Sequence, residues 1–439
     1  MALPNPVIVV PGITGSELRD VYDLDPRTVF ALLSKSYESI ALHPDNLKYE
    51  RIEPTRVVPD KLIGLAYREL IEELRHDLRQ KQDEPVPVYP FAYDWRQRLN
   101  ITENLLRQFI EEVIERTKLL PHYAKAGYPN DPKVNLVGHS MGGLIVAGYM
   151  ESQGRNGRVG KVATLGSPFR GSLEAPVKVA TGLADLGTGS VSSREREAAR
   201  VTPALYHLLP SFDSAIHTDV SDFKNLYKVK AWQPGVIQTI AEYIRLYGLK
   251  KTERTAQAEK LLGDMLGEAE AHRNRLEGFD LPNVGLKKKD WLCIVGVDEK
   301  TRVSMRIKKV GNKPWFELSS ADQKNMWEDK DPANRVLTGD GTVPYQGAKC
   351  NFIPVEQVVC VLDNDFGTWE LQDRTMEGLV SLHALLPKMN LIQRLIVSHF
   401  TGKKRPGTWG RSAPDLPADK AWDPPIPGLK PKKKDEKKD

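Results

Sequence analysis

The residues best suited to chemistry lie in the stretch VNLVGHSMGG, which carries the pattern Gly-x-Ser-x-Gly as Gly138, Ser140 and Gly142. An apolar run precedes the pattern and a helix rich in small residues follows it, which predicts a tight turn from strand to helix. A serine on such a turn projects its hydroxyl above the sheet, where it can attack a carbonyl carbon. We therefore predict Ser140 as a nucleophile, the alternative being a plain turn with a serine cap.

An attack on a carbonyl requires N–H groups that hold the oxygen as it becomes negative. One donor is expected from Met141, the residue after the nucleophile. The other is expected from a glycine-containing loop after an early strand, and PGITGS at residues 11–16 fits that description. We favour the amide of Thr14, with Ile13 as the competing donor. A simple turn is the alternative interpretation of this loop.

A serine nucleophile needs a histidine to take its proton and a carboxylate to orient that histidine. On a strand–turn–helix of this kind the acid and the base follow the serine in the order acid, then histidine. Asp340 lies in TGDGTVP, between glycines and late in the chain, and is the predicted acid. Its alternative role is that of a turn aspartate that caps its own backbone.

Two histidines follow Asp340, and the sequence favours His383 as the base because it precedes the final helical pattern. His399 lies at the far end of that pattern, where an interaction with the helix C-terminus is the simpler interpretation. His139 is adjacent to Ser140, and neighbouring side chains on a sharp turn diverge. We therefore expect His139 to serve in packing or support rather than as the base.

Short apolar runs that end in Gly, Pro, Ser or Asp recur along the chain and predict buried strands of a mostly parallel sheet. These runs are Val7–Val10, Val86–Tyr93, Val134–Val137, Val162–Leu165, Leu292–Val295 and Val358–Leu362. Helical apolar stripes lie between several of them, at residues 62–74, 105–114 and 141–150. Strands that alternate with helices predict an α/β fold, with the sheet flanked by helices.

The alternation stops after residue 171, and four regions are predicted. They are a first core part (1–171), a helical cap insertion (172–287), a second core part (288–400) and a Pro- and Lys-rich tail (401–439) expected to be disordered. Within the insertion, Trp232 and the apolar positions of 236–249 could line an acyl channel, touch a membrane surface or, as we favour, pack against the core.

Composition excludes several function classes. Hydrophobic residues make up 40% of the chain and charged residues 28%, with a net charge of +5, which gives no basis for nucleic-acid binding. The three cysteines follow no metal-binding spacing and predict neither a metal site nor a disulfide framework. No apolar window reaches the length of a membrane helix, and the N-terminus lacks the features of a signal peptide, so a cytoplasmic location is expected.

Taken in order, these stretches resemble the lecithin:cholesterol acyltransferase-like α/β-hydrolases, a family that includes lysosomal phospholipase A2 and phospholipid:diacylglycerol acyltransferase. The matching pieces are VIVVPGITGSEL (7–18), YDWR (93–96), VNLVGHSMGG (134–143), LGSPFRGS (165–172), ALYHLLPS (204–211), GDGTVP (339–344) and His383. The resemblance implies Ser140, Asp340 and His383 as catalytic triad and the amides of Thr14 and Met141 as oxyanion hole. It also implies a lipid ester substrate, usually a glycerophospholipid or acylglycerol, and no metal or organic cofactor.

The chain departs from that family at a few places. Secreted members hold a membrane-binding lid with a disulfide in the N-terminal third, whereas residues 1–292 here contain no cysteine, so a lid near 20–46 must be held otherwise. The segment Asp363–Met376, between the predicted acid and base, is enlarged and polar. The function expected is hydrolysis of lipid esters, with transient contact to a membrane surface. The alternatives are acyl transfer to an alcohol, a small-ester esterase or amidase, and a non-catalytic lipid- or protein-binding module.

Overall fold

Six strands form the central sheet of the protein in a computed structural model that describes residues 3–52, 54–182, 193–367 and 381–432. The strands are β1 (Val7–Val10), β2 (Ser16–Asp20), β3 (Arg27–Phe30), β4 (Leu42–His43), β5 (Asn46–Glu50), β6 (Val57–Leu62), β7 (Val88–Pro90), β8 (Val134–His139), β9 (Val159–Leu165), β10 (Ile216–His217), β11 (Trp291–Val297), β12 (Thr301–Arg302), β13 (Met305–Val310), β14 (Lys313–Glu317), β15 (Gln323–Lys324) and β16 (Val359–Leu362). The helices are α1 (Tyr37–Ile40), α2 (Gly64–Asp77), α3 (Leu99–Lys118), α4 (Pro121–Lys125), α5 (Met141–Gln153), α6 (Glu174–Thr181), α7 (Ser193–Arg200), α8 (Pro203–Tyr206), α9 (Ser221–Lys224), α10 (Pro234–Tyr247), α11 (Arg254–Glu277), α12 (Tyr345–Ala348), α13 (Leu382–Leu385) and α14 (Asn390–Thr401).

The central sheet has the order β16–β11–β9–β8–β1–β7, and every neighbouring pair is parallel. Each of the six apolar runs in the sequence contributes one of these strands, so the prediction of a mostly parallel sheet is confirmed. Helices cover both faces, and a helical insertion follows β9. The protein therefore has the predicted α/β-hydrolase fold.

The strands are apolar along their whole length because both faces of the sheet are buried. In β1, Val7 and Val9 belong to one hydrophobic core, and Ile8 and Val10 belong to the other. Side chains of α2 and α14 complete the first core, and side chains of α3, α5 and the cap complete the second. Successive side chains of β1 therefore enter opposite cores, and both must be apolar.

Between β9 and β11, the described residues 174–182 and 193–277 are mainly helical, from α6 to α11. Trp232 is only 2% exposed there, and its ring packs against Tyr206 and Phe316, with ring centroids 6.1 and 5.5 Å away. This is core packing, the favoured interpretation. The sequence did not predict the excursion at 298–337, where β13 and β14 pair antiparallel and β10 of the insertion adds to β13.

Two buried arginines hold the segment 37–51 in the absence of a disulfide. Arg96 donates to Glu50 over 2.7 Å and to the carbonyl of Ile40 over 3.0 Å. Arg51 donates to Glu197 of α7 over 2.9 Å. Charge pairs therefore fasten the segment 37–51 to the core through Arg96 and to α7 through Arg51.

The C-terminal tail differs from the prediction of disorder as far as it is described, to Lys432. Gly410–Arg411 runs beside β16, and Arg411 and Cys360 exchange backbone hydrogen bonds of 2.8 and 3.1 Å. Ile426 and Leu429 are buried in the core that α2 and α14 also line. These apolar residues are widely and irregularly spaced among prolines and lysines, so no periodic pattern indicated that they pack.

Some sequence predictions fall outside the described residues. These are the final lysine run at 433–439 and most of the polar segment between acid and base, at 368–380. Among the described residues, no helix combines the length and apolar character needed to cross a bilayer. The cysteines Cys293, Cys350 and Cys360 are buried and free.

His399 on α14 is buried beneath the sheet rather than exposed at a helix end. Its ring is 1% exposed, and its Nε2 lies 3.1 Å from the carbonyl oxygen of Val162 and 3.2 Å from that of Asp290. Burial, aided by the charge of Lys161, lowers the pKa of His399 to about 4. The folded protein therefore holds this ring neutral, whereas the unfolded chain protonates it near the ordinary pKa of about 6.5.

This difference predicts a pH-dependent stability. The contribution of His399 is complete above pH ~6.5 and is lost as the pH falls towards ~4, because only the unfolded chain binds a proton in that interval. His399→Gln should reduce the slope of unfolding free energy against pH by up to ~1.4 kcal/mol per pH unit. Urea unfolding at several pH values measures the slope. The exposed His217→Gln is the control, and equal slopes in the two variants would contradict the prediction.

Candidate active site

Ser140 lies on the turn between β8 and α5, in a backbone conformation that a side chain rarely adopts (φ 53°, ψ −127°). The glycines around it permit this turn. A Cβ on Gly142 would come within 2.2 Å of the Val10 carbonyl oxygen, and one on Gly138 would come within 2.8 Å of Gly143 Cα. The turn matches the strained nucleophile position that the Gly-x-Ser-x-Gly pattern predicts.

His383, at the start of α13, reaches Ser140 from the other end of the chain. Its Nε2 lies 2.8 Å from Ser140 Oγ, and its Nδ1 lies 2.7 Å from Asp340 Oδ2. Since a carboxylate only accepts, Nδ1 carries the proton and Nε2 is left to accept the serine hydroxyl. The structure thus brings together the three side chains that the sequence selected.

Asp340 is 1% exposed, yet its carboxylate is fully hydrogen-bonded. Oδ1 accepts the backbone N–H of Thr342 over 3.1 Å and of Val343 over 2.7 Å, while Oδ2 faces His383. Gly166, after β9, leaves the space that this pair occupies, because a Cβ there would lie 2.8 Å from Asp340 Oδ2. The turn and the glycine together hold the carboxylate in one orientation.

Glu299 links the loops of the predicted acid and base, and sequence reasoning missed it. Its Oε2 accepts the backbone N–H of Leu382 over 2.7 Å, at the first turn of α13. Its own N–H donates to the carbonyl of Gly339 over 3.0 Å. Glu299 stands in an ordinary polar stretch, DEKTR, so nothing in the sequence distinguished it from a solvent-exposed residue.

The loop after β1 lies against the nucleophile. A Cβ on Gly12 would be 2.8 Å from Ser140 Cβ, and Thr14 has a positive φ of 60°. The amides of Gly12 and Gly15 donate to Tyr67 OH and to the Gly12 carbonyl. Within residues 12–15 this leaves Ile13 and Thr14 as candidate oxyanion donors, beside Met141 on α5, and these roles remain predictions.

The YDWR segment (93–96) supports this loop. Tyr93 OH donates to the carbonyl of Pro11 over 2.9 Å, and Trp95 Nε1 donates to the carbonyl of Ser16 over 3.1 Å. Both aromatic side chains are buried. The segment therefore holds the two ends of the candidate oxyanion loop, and its Arg96 extends the support to the segment 37–51.

His139 and His399, the competing histidines, do not approach Ser140 Oγ as a base must. His139 is 4% exposed and contacts Tyr67 OH through Nδ1, at 2.7 Å, and the His383 carbonyl through Nε2, at 2.8 Å. Burial and the nearby His383 lower the pKa of His139 to about 3, so it stays neutral. His399 lies beside Asp290, at the opposite end of β11 from the acid loop.

The site is enclosed and holds no cluster of metal ligands among the described residues. Ser140 is 6% exposed and His383 7%. The three side chains spaced to hold a metal ion, Glu73, His76 and Asp77, lie on α2 and are largely exposed. A cleft of about 410 Å³ lies elsewhere, between residues 44–48 and the helices α10 and α11.

Comparisons with known proteins agree with the motifs. The family model described as lecithin:cholesterol acyltransferase matches residues 67–264, which include Ser140. No curated protein sequence matches the chain. Similar solved structures include the Tle4–Tli4 complex, 16% identical with a TM-score of 0.48, covering 79% of this chain and 89% of that one.

Two further structures are similar at lower scores. The lipase BlEst2 from Bacillus licheniformis is 12% identical with a TM-score of 0.28, covering 80% of this chain and 81% of that one. The lin2722 gene product from Listeria innocua is 14% identical with a TM-score of 0.20, covering 64% and 97%. The family model, by contrast, confirms over residues 67–264 the resemblance to the lecithin:cholesterol acyltransferase family that the motifs predict.

Proposed function

We propose that the protein is a serine acyl hydrolase of lipid esters, with Ser140 as nucleophile, His383 as base and Asp340 as the orienting acid. The observation that carries the proposal is the continuous pair of hydrogen bonds, 2.8 Å from serine to imidazole and 2.7 Å from imidazole to carboxylate. The family match supports the substrate class, an acyl ester of a lipid.

The reaction follows from the direction of these bonds. His383 Nε2 takes the proton of Ser140 Oγ as the oxygen bonds to the ester carbonyl carbon, and Asp340 stabilises the imidazolium that results. Amides of Met141 and Thr14 hold the negative oxygen. When the tetrahedral intermediate collapses, the alkoxide leaves and takes the proton from His383. Water then attacks the acyl-enzyme in the same way and releases the fatty acid.

Acyl transfer to an alcohol is the second candidate, and the burial of the site favours it. Hydrolysis and transfer share the acyl-enzyme and differ only in whether water or an alcohol attacks it. Ser140, Asp340 and His383 are each at least 93% buried, so bulk water has little access in this conformation. A site that excludes water allows a second alcohol to compete for the acyl group.

Ser140→Ala tests the nucleophile. We expect kcat for a lipid ester to fall by about 10⁴-fold or more, because the remaining amides cannot form an acyl-enzyme. Ester turnover and labelling by a fluorophosphonate, located by mass spectrometry, measure the loss. Retained turnover in folded Ser140→Ala would contradict the assignment, and an inactive, unlabelled wild-type protein would favour a non-catalytic binding module.

Replacing His383 and His399 in turn tests which of the two histidines is the base. His383→Ala should lower kcat by several orders of magnitude, because no other group reaches Ser140 Oγ at 2.8 Å in the described structure. His399→Ala should change kcat per folded site by less than about threefold. Steady-state rates normalised to the folded fraction decide this, and the opposite ranking would reassign the base.

Asp340→Asn tests the orienting role without changing the size of the side chain. The amide nitrogen can donate to His383 Nδ1, which shifts the proton to Nε2 and prevents the ring from accepting the serine proton. We expect kcat to fall by about 10³- to 10⁴-fold with little change in folding, as for the equivalent change in serine proteases. A loss below tenfold would argue that Asp340 only caps its own turn.

Product analysis decides between hydrolysis and transfer. Phospholipid vesicles are incubated with a long-chain alcohol, and free fatty acid and fatty-acyl ester are separated and measured. Hydrolysis predicts free acid as the main product at every alcohol concentration. A rising share of acyl ester, absent from Ser140→Ala, would identify the transferase. A substrate limited to short water-soluble esters would identify the small-ester esterase.

A further inference from the structure

A chain of hydrogen bonds runs from the loop after β1 to the backbone of the predicted base. The amide of Gly12 donates to Tyr67 OH over 2.9 Å, Tyr67 OH lies 2.7 Å from His139 Nδ1, and His139 Nε2 lies 2.8 Å from the carbonyl oxygen of His383. Tyr67 belongs to α2, a helix whose other buried side chains pack against one face of the sheet. The chain of bonds thus joins four separate segments beside Ser140: the loop after β1, α2, the end of β8 and the start of α13.

The two ends of this chain determine the direction of every bond in it. The Gly12 amide can only donate, so Tyr67 OH accepts from it and directs its own hydrogen to His139 Nδ1. The His383 carbonyl can only accept, so His139 Nε2 carries the ring proton. Every donor therefore meets an acceptor in one arrangement, with His139 neutral.

We call the Tyr67 and His139 side chains, with the hydrogen bonds that connect Gly12 to the His383 carbonyl, the bridge. Both side chains of the bridge are buried. Tyr67 is 2% and His139 is 4% exposed, and burial raises the pKa of the Tyr67 phenol and lowers that of His139 to about 3. The His139 ring also lies 5.1 Å from the His383 ring, centroid to centroid. Neither group changes its protonation over the pH range in which an esterase of this kind would work.

We propose that Tyr67 and His139 are positioning residues that hold the oxyanion loop and the base loop at fixed distances from Ser140. The proposal rests on the proposed function. His139 is the last residue of β8 and directly precedes Ser140, so its ring connects both loops to the strand that carries the nucleophile. At one end, Gly12 lies so near the nucleophile that an added Cβ would be 2.8 Å from Ser140 Cβ, and at the other end the His383 imidazole contacts Ser140 Oγ. A displacement of about 1 Å in such a group can cost about 10²-fold in rate.

Other contacts hold the His383 backbone from the opposite side, and they do not connect it to the oxyanion loop. Asp340 and Glu299 bind the amides of His383 and Leu382, on the side of the acid loop. The His139 ring binds the His383 carbonyl from the side of the nucleophile strand. The predicted base is thus held between two supports, and the bridge is the one that also reaches the oxyanion loop.

Tyr67→Phe tests the bridge, with Tyr123→Phe as a matched control. Tyr123 is also a buried tyrosine, 1% exposed, and its hydroxyl donates to a backbone carbonyl, that of Pro4, over 2.7 Å. We expect Tyr67→Phe to lower kcat for a p-nitrophenyl fatty-acid ester by about 10- to 100-fold with KM within twofold. Tyr123→Phe should leave both constants within twofold of wild type.

Rates in this comparison are expressed per active site, counted by stoichiometric reaction with a fluorophosphonate. A loss of kcat in Tyr67→Phe equal to that in Tyr123→Phe would overturn the proposal. A loss that disappears when rates are divided by the number of active sites would also overturn it, because misfolding alone would then account for it.

His139→Gln and His139→Leu provide an independent pair if Tyr67→Phe yields no active sites. The glutamine amide can accept from Tyr67 and donate to the His383 carbonyl, whereas leucine can do neither and leaves both groups unpaired. We expect kcat of His139→Gln within about fivefold of wild type and that of His139→Leu at least about 20-fold lower still. Equal kcat in the two variants would overturn the proposal.

Failure of this proposal is distinguishable from failure of the proposed function. If Ser140→Ala abolishes turnover while both comparisons above show no difference, the nucleophile stands and the bridge is only structural. If Ser140→Ala keeps its turnover, the bridge has no catalytic site to position and both proposals fail together.

Discussion

The contact between His383 Nε2 and Ser140 Oγ joins residues 243 positions apart, and it depends on the parallel sheet between them. Ser140 follows β8, the acid loop comes after β11, and the base comes after β16. In the sheet these parallel strands lie in the order β16–β11–β9–β8, so the three loops leave from strand carboxyl ends on the same side of the sheet. Gly166, at the end of the intervening β9, has no side chain to block the space where the loops meet.

The parts of the fold that could be predicted are those in which one physical cause leaves a contiguous pattern. A strand buried on both faces must be apolar throughout, so β1, β8 and β11 are visible as uninterrupted runs. The turn at Ser140 needs glycines at fixed offsets because backbones approach within contact distance there. The order of acid and histidine then reduced the candidate bases to two, and His383 is the one that lies beside Ser140.

The parts that escaped prediction depend on contacts between distant segments. Tyr67 fits the apolar stripe of α2 as well as any aromatic residue, and only the folded chain reveals that its hydroxyl meets His139. Glu299 is an acidic residue in a polar stretch, and its supporting role is visible only from the hydrogen bond that its carboxylate accepts from the amide of Leu382. The strands at 298–337 are short and half exposed, which gives an alternation too weak to separate from a loop.

The C-terminal tail has a consequence for the open side of the sheet. β16 is an edge strand, and Arg411 occupies its free backbone groups at Cys360. The same arginine and Lys432 neutralise Asp365, a carboxylate that is 4% exposed and that also accepts the indole N–H of Trp409. A protein shortened at residue 401 would expose that edge strand to solvent. It would also leave the Asp365 carboxylate buried without Arg411 and Lys432. Sheet edges left uncovered recruit further chains, so the described part of the tail, residues 402–432, protects this edge against self-association.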